Sequence, residues 1–139
     1  MTIDEAAVAD DIQTSIKTGN ITYTSGPDSS PDKEFVYIRG TLTNTGKAEI
    51  SMPEISGKVT ADGYSYEIQS INIIESDGSS AYTISPLMTY TYTLYAEVPN
   101  QLVDKVSEFE MNFGFEDNFA RVTSSDKAPA YNYAINIAK

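Results

Sequence analysis

The chain contains no histidine, no cysteine and no tryptophan, and it sets only 9 lysines and arginines against 20 aspartates and glutamates. Each gap excludes a chemistry. Without His or Cys there is no Ser-His-Asp or Cys-His triad, no Cys/His zinc centre, no His-ligated haem, no iron–sulfur cluster and no disulfide. A net charge of −11 leaves few cations to displace counterions, so nucleic acid is not an expected partner. Long apolar runs are missing too. Nothing approaches the ~20 residues that span a bilayer as a helix, so direct membrane insertion is not expected. The start, Thr2-Ile3-Asp4-Glu5, is polar and acidic, unlike a signal peptide. Histidine-free nucleophiles lack their motifs as well: there is no S-x-x-K, no G-x-S-x-G and no glycine-rich phosphate loop.

What is present leans to β structure. The 139 residues suit a single domain, and 40% of them are hydrophobic, the fraction of an ordinary globular chain. Tyrosine is abundant at 10 residues, and Tyr, Thr, Val and Ile fit a pleated, half-buried surface. The one segment with helical spacing is 4–18, where Ile3, Ala7 or Val8, Ile12 and Ile16 recur on one side. Asp4 is placed to cap it and Gly19 to end it. Residues 1–19 are therefore expected to form an N-terminal helical segment, followed by a β domain over 20–139.

From Asn20 the period is two. Strands are expected at 20–25, 35–43, in one or two pieces over 50–61, at 64–74, 81–84, 88–98 and 109–116, and over 131–137. In 88–98, Met88, Tyr90, Tyr92, Leu94, Ala96 and Val98 share the dry face. Turn chemistry separates the strands: Gly26-Pro27-Asp28 through Pro31-Asp32, Asn44-Thr45-Gly46 (its glycine assigned to positive φ), Asp62-Gly63, Asp77-Gly78, and a polar stretch at Ser124 to Lys127. Asn100 to Ser107 reads as a helical turn with Leu102, Val103 and Val106 inward. Short strands at this spacing predict an all-β, immunoglobulin-like antiparallel β-sandwich of about 7–9 strands.

Some of these segments carry a resemblance. Phe35-Val-Tyr-Ile-Arg-Gly-Thr-Leu-Thr-Asn-Thr-Gly46, the hairpin Asp62-Gly63-Tyr64-Ser65-Tyr66, the run from Leu87 through Tyr95 to Val98-Pro99, and Phe113-Gly-Phe-Glu-Asp-Asn-Phe119 resemble domains of unknown function. Those domains occur on secreted proteins and lipoproteins of Gram-positive, often gut-dwelling, bacteria. The resemblance covers about residues 20 to 120 and implies a telokin-like β-sandwich, an extracellular or cell-surface location, and a leader with a lipid-anchoring cysteine upstream. It implies no catalytic residue.

Two sets of residues are candidates for a site. Phe35, Tyr37 and Tyr95 alternate onto a face that should be wet, with Arg39 at its rim. Exposed and adjacent, they would form a binding patch for a protein or a glycan; the other reading has the N-terminal helix covering them. Among the acids, Asp10-Asp11, Asp28/Asp32, Glu75/Asp77, Glu108/Glu110 and Glu116/Asp117 are the close pairs. Solvated surface charge and turn geometry account for most of them. Asp28 and Asp32 are the best candidates for a weak calcium site, and no other cofactor is expected. Three functions follow: a non-enzymatic interaction or structural module, a carboxylate-dependent glycan hydrolase, and an inhibitor or assembly partner working through an exposed edge strand.

Overall fold

The computed structural model describes residues 1–51, 54–71, 82–116 and 131–139. Its elements in chain order are β1 (Thr2–Ala9), β2 (Thr14–Thr18), β3 (Ile21–Ser25), β4 (Lys33–Thr43), β5 (Ile50–Ser51), β6 (Glu54–Ala61), β7 (Tyr64–Glu67), β8 (Gln69–Ile71), β9 (Thr83–Ile84), β10 (Thr89–Pro99), α1 (Asn100–Val103), β11 (Glu108–Glu116) and β12 (Tyr131–Ala138). The main strands form two four-stranded antiparallel sheets, ordered β1-β4-β10-β8 and β12-β11-β6-β7. Lettered by chain order, these are A-B-E-D and G-F-C-C′, the strand arrangement of an immunoglobulin-like sandwich. The β2–β3 hairpin is inserted between the first and second of those strands, and β5 pairs with β9 in a small ribbon.

Alternation along the strands builds the core. Val36 and Ile38 from β4 and Leu94, Ala96 and Val98 from β10 meet Val59 of β6, Phe109 and Met111 of β11 and Ile137 of β12. No disulfide joins the sheets; these side chains, all at most 1% exposed, fill the space between them. As expected from the sequence, α1 closes one end with Leu102 and Val103 buried. The Asp62-Gly63 hairpin is also as expected. Both residues have positive φ, 48° and 80°, as a two-residue type I′ turn requires. The expected features at 72–81, including Asp77-Gly78, and at Ser124 to Lys127 lie outside the described residues.

The N-terminal helix does not form. Residues 2–9 are β1, hydrogen-bonded along β4 from Thr2↔Thr41 to Ala9↔Phe35, and residues 14–18 are β2. A helix would have buried one narrow stripe and left the edge of β4 unpaired. As a strand, the same residues complete that edge, send Val8 into the inter-sheet core and turn Ala7 and Ala9 to the other face. Tertiary pairing overrides the local propensity of the alanines. Gly19, expected to end a helix, instead opens the two-residue turn between Thr18 and Ile21 at φ 62°.

One glycine makes the first sheet possible. A Cβ on Gly40 would lie 2.0 Å from the Thr2 carbonyl oxygen. The bare position lets β1 approach and lets Tyr92, directly opposite on β10, reach across to donate its hydroxyl to Thr2 O at 2.9 Å. Burial pushes the Tyr92 pKa up to about 12.

Candidate functional site

The aromatic patch expected on the outward face is not a surface. Phe35 is 0%, Tyr37 6% and Tyr95 7% exposed. The chain leaving β1 crosses over them: Asp11 Oδ1 accepts the Gln13 amide N–H at 2.9 Å, and the turn this makes presses Ile12 onto the three rings. Phe35 and Tyr95 pack edge to face with centroids 5.7 Å apart. Their polar ends are spent inside the molecule. Tyr37 donates to Glu5 Oε1 at 2.6 Å and Tyr95 to Gln69 Oε1 at 3.0 Å. Arg39 rims no open face either. Its Cζ sits 5.6 Å from the Tyr37 ring centre, Nη1 pairs with Glu5 Oε2 at 3.2 Å, and Nε donates to Thr93 Oγ1 at 3.2 Å. Desolvation by burial pushes the Tyr37 and Tyr95 hydroxyls above the ordinary tyrosine range, with Glu5 and Glu97 respectively adding to the shift. Cover by the N-terminal segment was one of the two expected outcomes; a strand and turn provide it, not a helix.

Asp28 and Asp32 are both exposed, and their contacts reach distant parts of the chain. Gln13 Nε2 donates to Asp28 Oδ1 at 3.4 Å, while the Asp32 carbonyl accepts the Asn100 N–H at 3.0 Å. Among the described residues no three acidic side chains converge on a common metal position. Of the remaining pairs, Glu108 and Glu110 point to solvent from β11. Glu75, Asp77 and Asp117 lie outside the described residues. Asp10 and Glu34 line an open depression of about 470 Å³ together with Lys33 and Asn100, and Lys33 forms an ion pair with Glu97.

The feature that sequence reasoning missed lies at the end of the sandwich where β4 stops and β10 begins. Asn44, directly after β4, is 3% exposed, and every polar group it has is used. Its Nδ2 donates to Ala48 O at 2.8 Å and Ile84 O at 2.9 Å, and its Oδ1 accepts the Gly46 N–H at 2.9 Å. The backbone N–H of Asn44 donates to Met88 O at 3.1 Å, and its carbonyl accepts the Leu87 N–H at 2.8 Å. The Asn44-Thr45-Gly46 turn is therefore made by the asparagine side chain; among the described glycines, positive φ occurs at Gly19, Gly26 and Gly63, not at Gly46.

Clamped this way, Ser85-Pro86-Leu87-Met88 closes a turn through a Met88 N–H to Ser85 O bond of 3.1 Å. Pro86 takes the first central position and Leu87 the second, at φ 64°. That position normally selects glycine or asparagine; a leucine there carries about 1–2 kcal/mol of backbone strain. Buried Ile84, 2% exposed and paired with Ile50 in the small ribbon, anchors the loop from below. The outcome is an apolar tip in solvent: Leu87 is 80%, Tyr82 78% and Met88 51% exposed. The one signal in the sequence was Pro86, two residues ahead of the Met88 assigned to the dry face.

No family model matches the chain, and no curated protein matches it. Among solved structures it is similar to the crystal structure of an uncharacterized beta-sandwich protein from Clostridium difficile 630. The TM-score is 0.59 at 19% identity, over 96% of this chain and 83% of that one. This likeness carries the fold and nothing finer: the chain is an antiparallel β-sandwich of immunoglobulin-like strand order, and a β-sandwich protein of a Gram-positive bacterium shares its architecture.

Proposed function

We propose that the chain is a non-enzymatic, extracellular or cell-surface interaction module that docks its loop end against an apolar patch on a protein partner. The observation that carries this reading is Leu87, held 80% exposed at positive φ by a buried asparagine. Strained backbone persists only where its surroundings over-determine it, and it collects at sites that act. Tyr82 and Met88, near it in sequence and also exposed, are the aromatic and adaptable apolar residue types typical of binding surfaces. The same end of an immunoglobulin-like sandwich carries the loops with which antibody variable domains bind. A protein is favoured over a glycan because the flat aromatic platform a sugar would stack on, Phe35, Tyr37 and Tyr95, is packed away. Placement outside the cell rests on the resemblance of Phe35–Gly46 and Asp62–Tyr66 to domains of secreted proteins and lipoproteins.

Site-specific photo-crosslinking in cells that make the protein tests the reading. A photoreactive residue at position 87 should give a discrete adduct that a Tyr82→Ser, Met88→Ser background removes. The same probe at Asn112, on the exposed face of β11, should give none. Equal labelling from both positions, or none from 87, would overturn the proposal.

A further inference from the structure

A cleft of about 220 Å³ opens between the β6–β7 hairpin and α1, at the opposite end of β10 from Leu87. The 11 residues of β10 set its two ends about 35 Å apart. Tyr66 lies opposite Val59 and Tyr64 opposite Ala61, so both rings leave β7 on its core side. Tyr66 packs against the core, whereas Tyr64 is 59% exposed at a position whose alternation points it inward. Buried Leu102 adds an apolar wall, and exposed Asp62, Gln101 and Lys105 complete the lining. The polar ends of the covered tyrosines Tyr37 and Tyr95 are used inside the chain. Here they are not: among the described residues, no side-chain hydrogen bond or ion pair engages Asp62, Tyr64, Tyr66, Gln101 or Lys105.

We infer that this cleft binds the terminal sugar unit of a neutral glycan. Size limits the ligand to one ring. A closed cavity of about 150 Å³ holds a benzene, so a cleft of about 220 Å³ that opens to solvent takes one six-membered ring with its substituents. Charge excludes simple ions. Asp62 and Lys105 cancel within the lining, and a molecule of net charge −11 repels anions and attracts cations over its whole surface. The polar groups then ask for a particular chemistry: a carboxylate that only accepts, an ammonium that only donates, and an amide and phenols that do both. Sugar hydroxyls donate and accept, so one ring edge meets all of them while its C–H face lies on Tyr64. The buried platform of Phe35, Tyr37 and Tyr95 would have carried a chain lying flat; this cleft has room for one end unit. It is independent of the loop tip and of the protein partner proposed for it.

Nitrogen–proton correlation NMR of the full chain tests the inference, with the methyl glycosides of glucose, galactose, mannose and N-acetylglucosamine as probes. At least one should shift the amides of residues 62–66 and 99–105 saturably, with Kd on the order of 1 mM, the strength ordinary for about a dozen heavy atoms. Tyr64→Ala should weaken that binding about fivefold to tenfold. Asp62→Asn keeps a residue that tolerates the turn's φ of 48° and should weaken it about fivefold by removing the charge from an acceptor. Unchanged β4 and β11 resonances in both variants show that the fold is kept. Leu87→Gly should leave the titration as it is, which separates this site from the tip. Three results would each overturn the inference. None of the four glycosides saturates; acetate or methylammonium shifts the same amides at lower concentration; or both Tyr64→Ala and Asp62→Asn bind as the wild type does.

Discussion

Two outward-facing regions of the first sheet received opposite treatment. On its lower half, Phe35, Tyr37 and Tyr95 project away from the inter-sheet core and are nevertheless buried, because the chain after β1 folds back and seals them with Ile12. Beyond its upper end, Tyr82, Leu87 and Met88 are apolar and are nevertheless displayed. Alternation of side chains along a strand tells which face a residue takes. It does not tell whether another segment covers that face, or whether the strand has already run past the rim of the sandwich. The difference between the two regions is made by two side chains, Ile12 and Asn44, neither of which belongs to a regular strand.

The largest effect expected from disturbing this arrangement is at Phe35. Phe35→Ala removes a ring that is 0% exposed and packed on Tyr95, so it should cost about 3–5 kcal/mol in urea unfolding, the range for large aromatic truncations in a closed core. A loss below about 1 kcal/mol, the scale of surface substitutions, would mean that the region is only nominally buried. Ile12→Ala should cost about 2–4 kcal/mol, but with a different signature. Its loss should be local: faster amide exchange in β1, β2 and β3 and new binding of a hydrophobic dye, with β6 and β11 still protected, because opening units follow contiguous structure. If β6 and β11 lose protection together with β1, the cover and the sandwich form one cooperative unit, and the contrast drawn between them fails.

The strands of the sandwich were readable because their environment is simple. β4, β10 and β11 alternate between the inter-sheet core and something else, and Phe109, Met111 and Phe113 lie inward as their spacing requires. The hairpin at Asp62-Gly63 and the turn of helix at Leu102-Val103 were readable for the same local reasons. The N-terminal segment was not. Its Ala6-Ala7-Val8-Ala9 stretch suits a helix, and only the unpaired edge of β4, invisible in the sequence, draws it into a strand. That error concealed the fate of Phe35, Tyr37 and Tyr95, since their exposure depends on where residues 10–13 go. The tip was hidden for a different reason. An apolar Leu87 reads as core, and its display rests on hydrogen bonds to a buried Asn44 that lies 43 positions earlier.

Alkaline titration sharpens the comparison from the buried side. Burial raises the pKa of Tyr37, Tyr92 and Tyr95 in the folded chain, Tyr92 from 10.0 to about 12. A group whose folded pKa is raised gives stability that is complete below its unfolded value and is lost as pH rises toward the folded one. The urea midpoint should therefore hold up to pH 10 and fall between pH 10 and about 12, where the unfolded chain has ionised its tyrosines and the folded chain has not. Tyr92→Phe loses the bond to Thr2 O and about 1 kcal/mol at neutral pH, yet should flatten the alkaline fall. An unchanged slope would show that Tyr92 already ionises in the folded state.

The smallest effect is expected at the displayed end, and its smallness is the informative part. Leu87→Gly removes a side chain that is 80% exposed and relieves the strain of positive φ, about 1–2 kcal/mol. It also loosens the unfolded chain, which offsets much of the gain. Net stability should therefore stay within about 1 kcal/mol of the wild type, on the stabilising side. A chain under pressure for stability alone would place glycine there. A stability loss near that of Ile12→Ala would instead make Leu87 a packing residue, and the upper end of the sheet would then be covered as the lower half is.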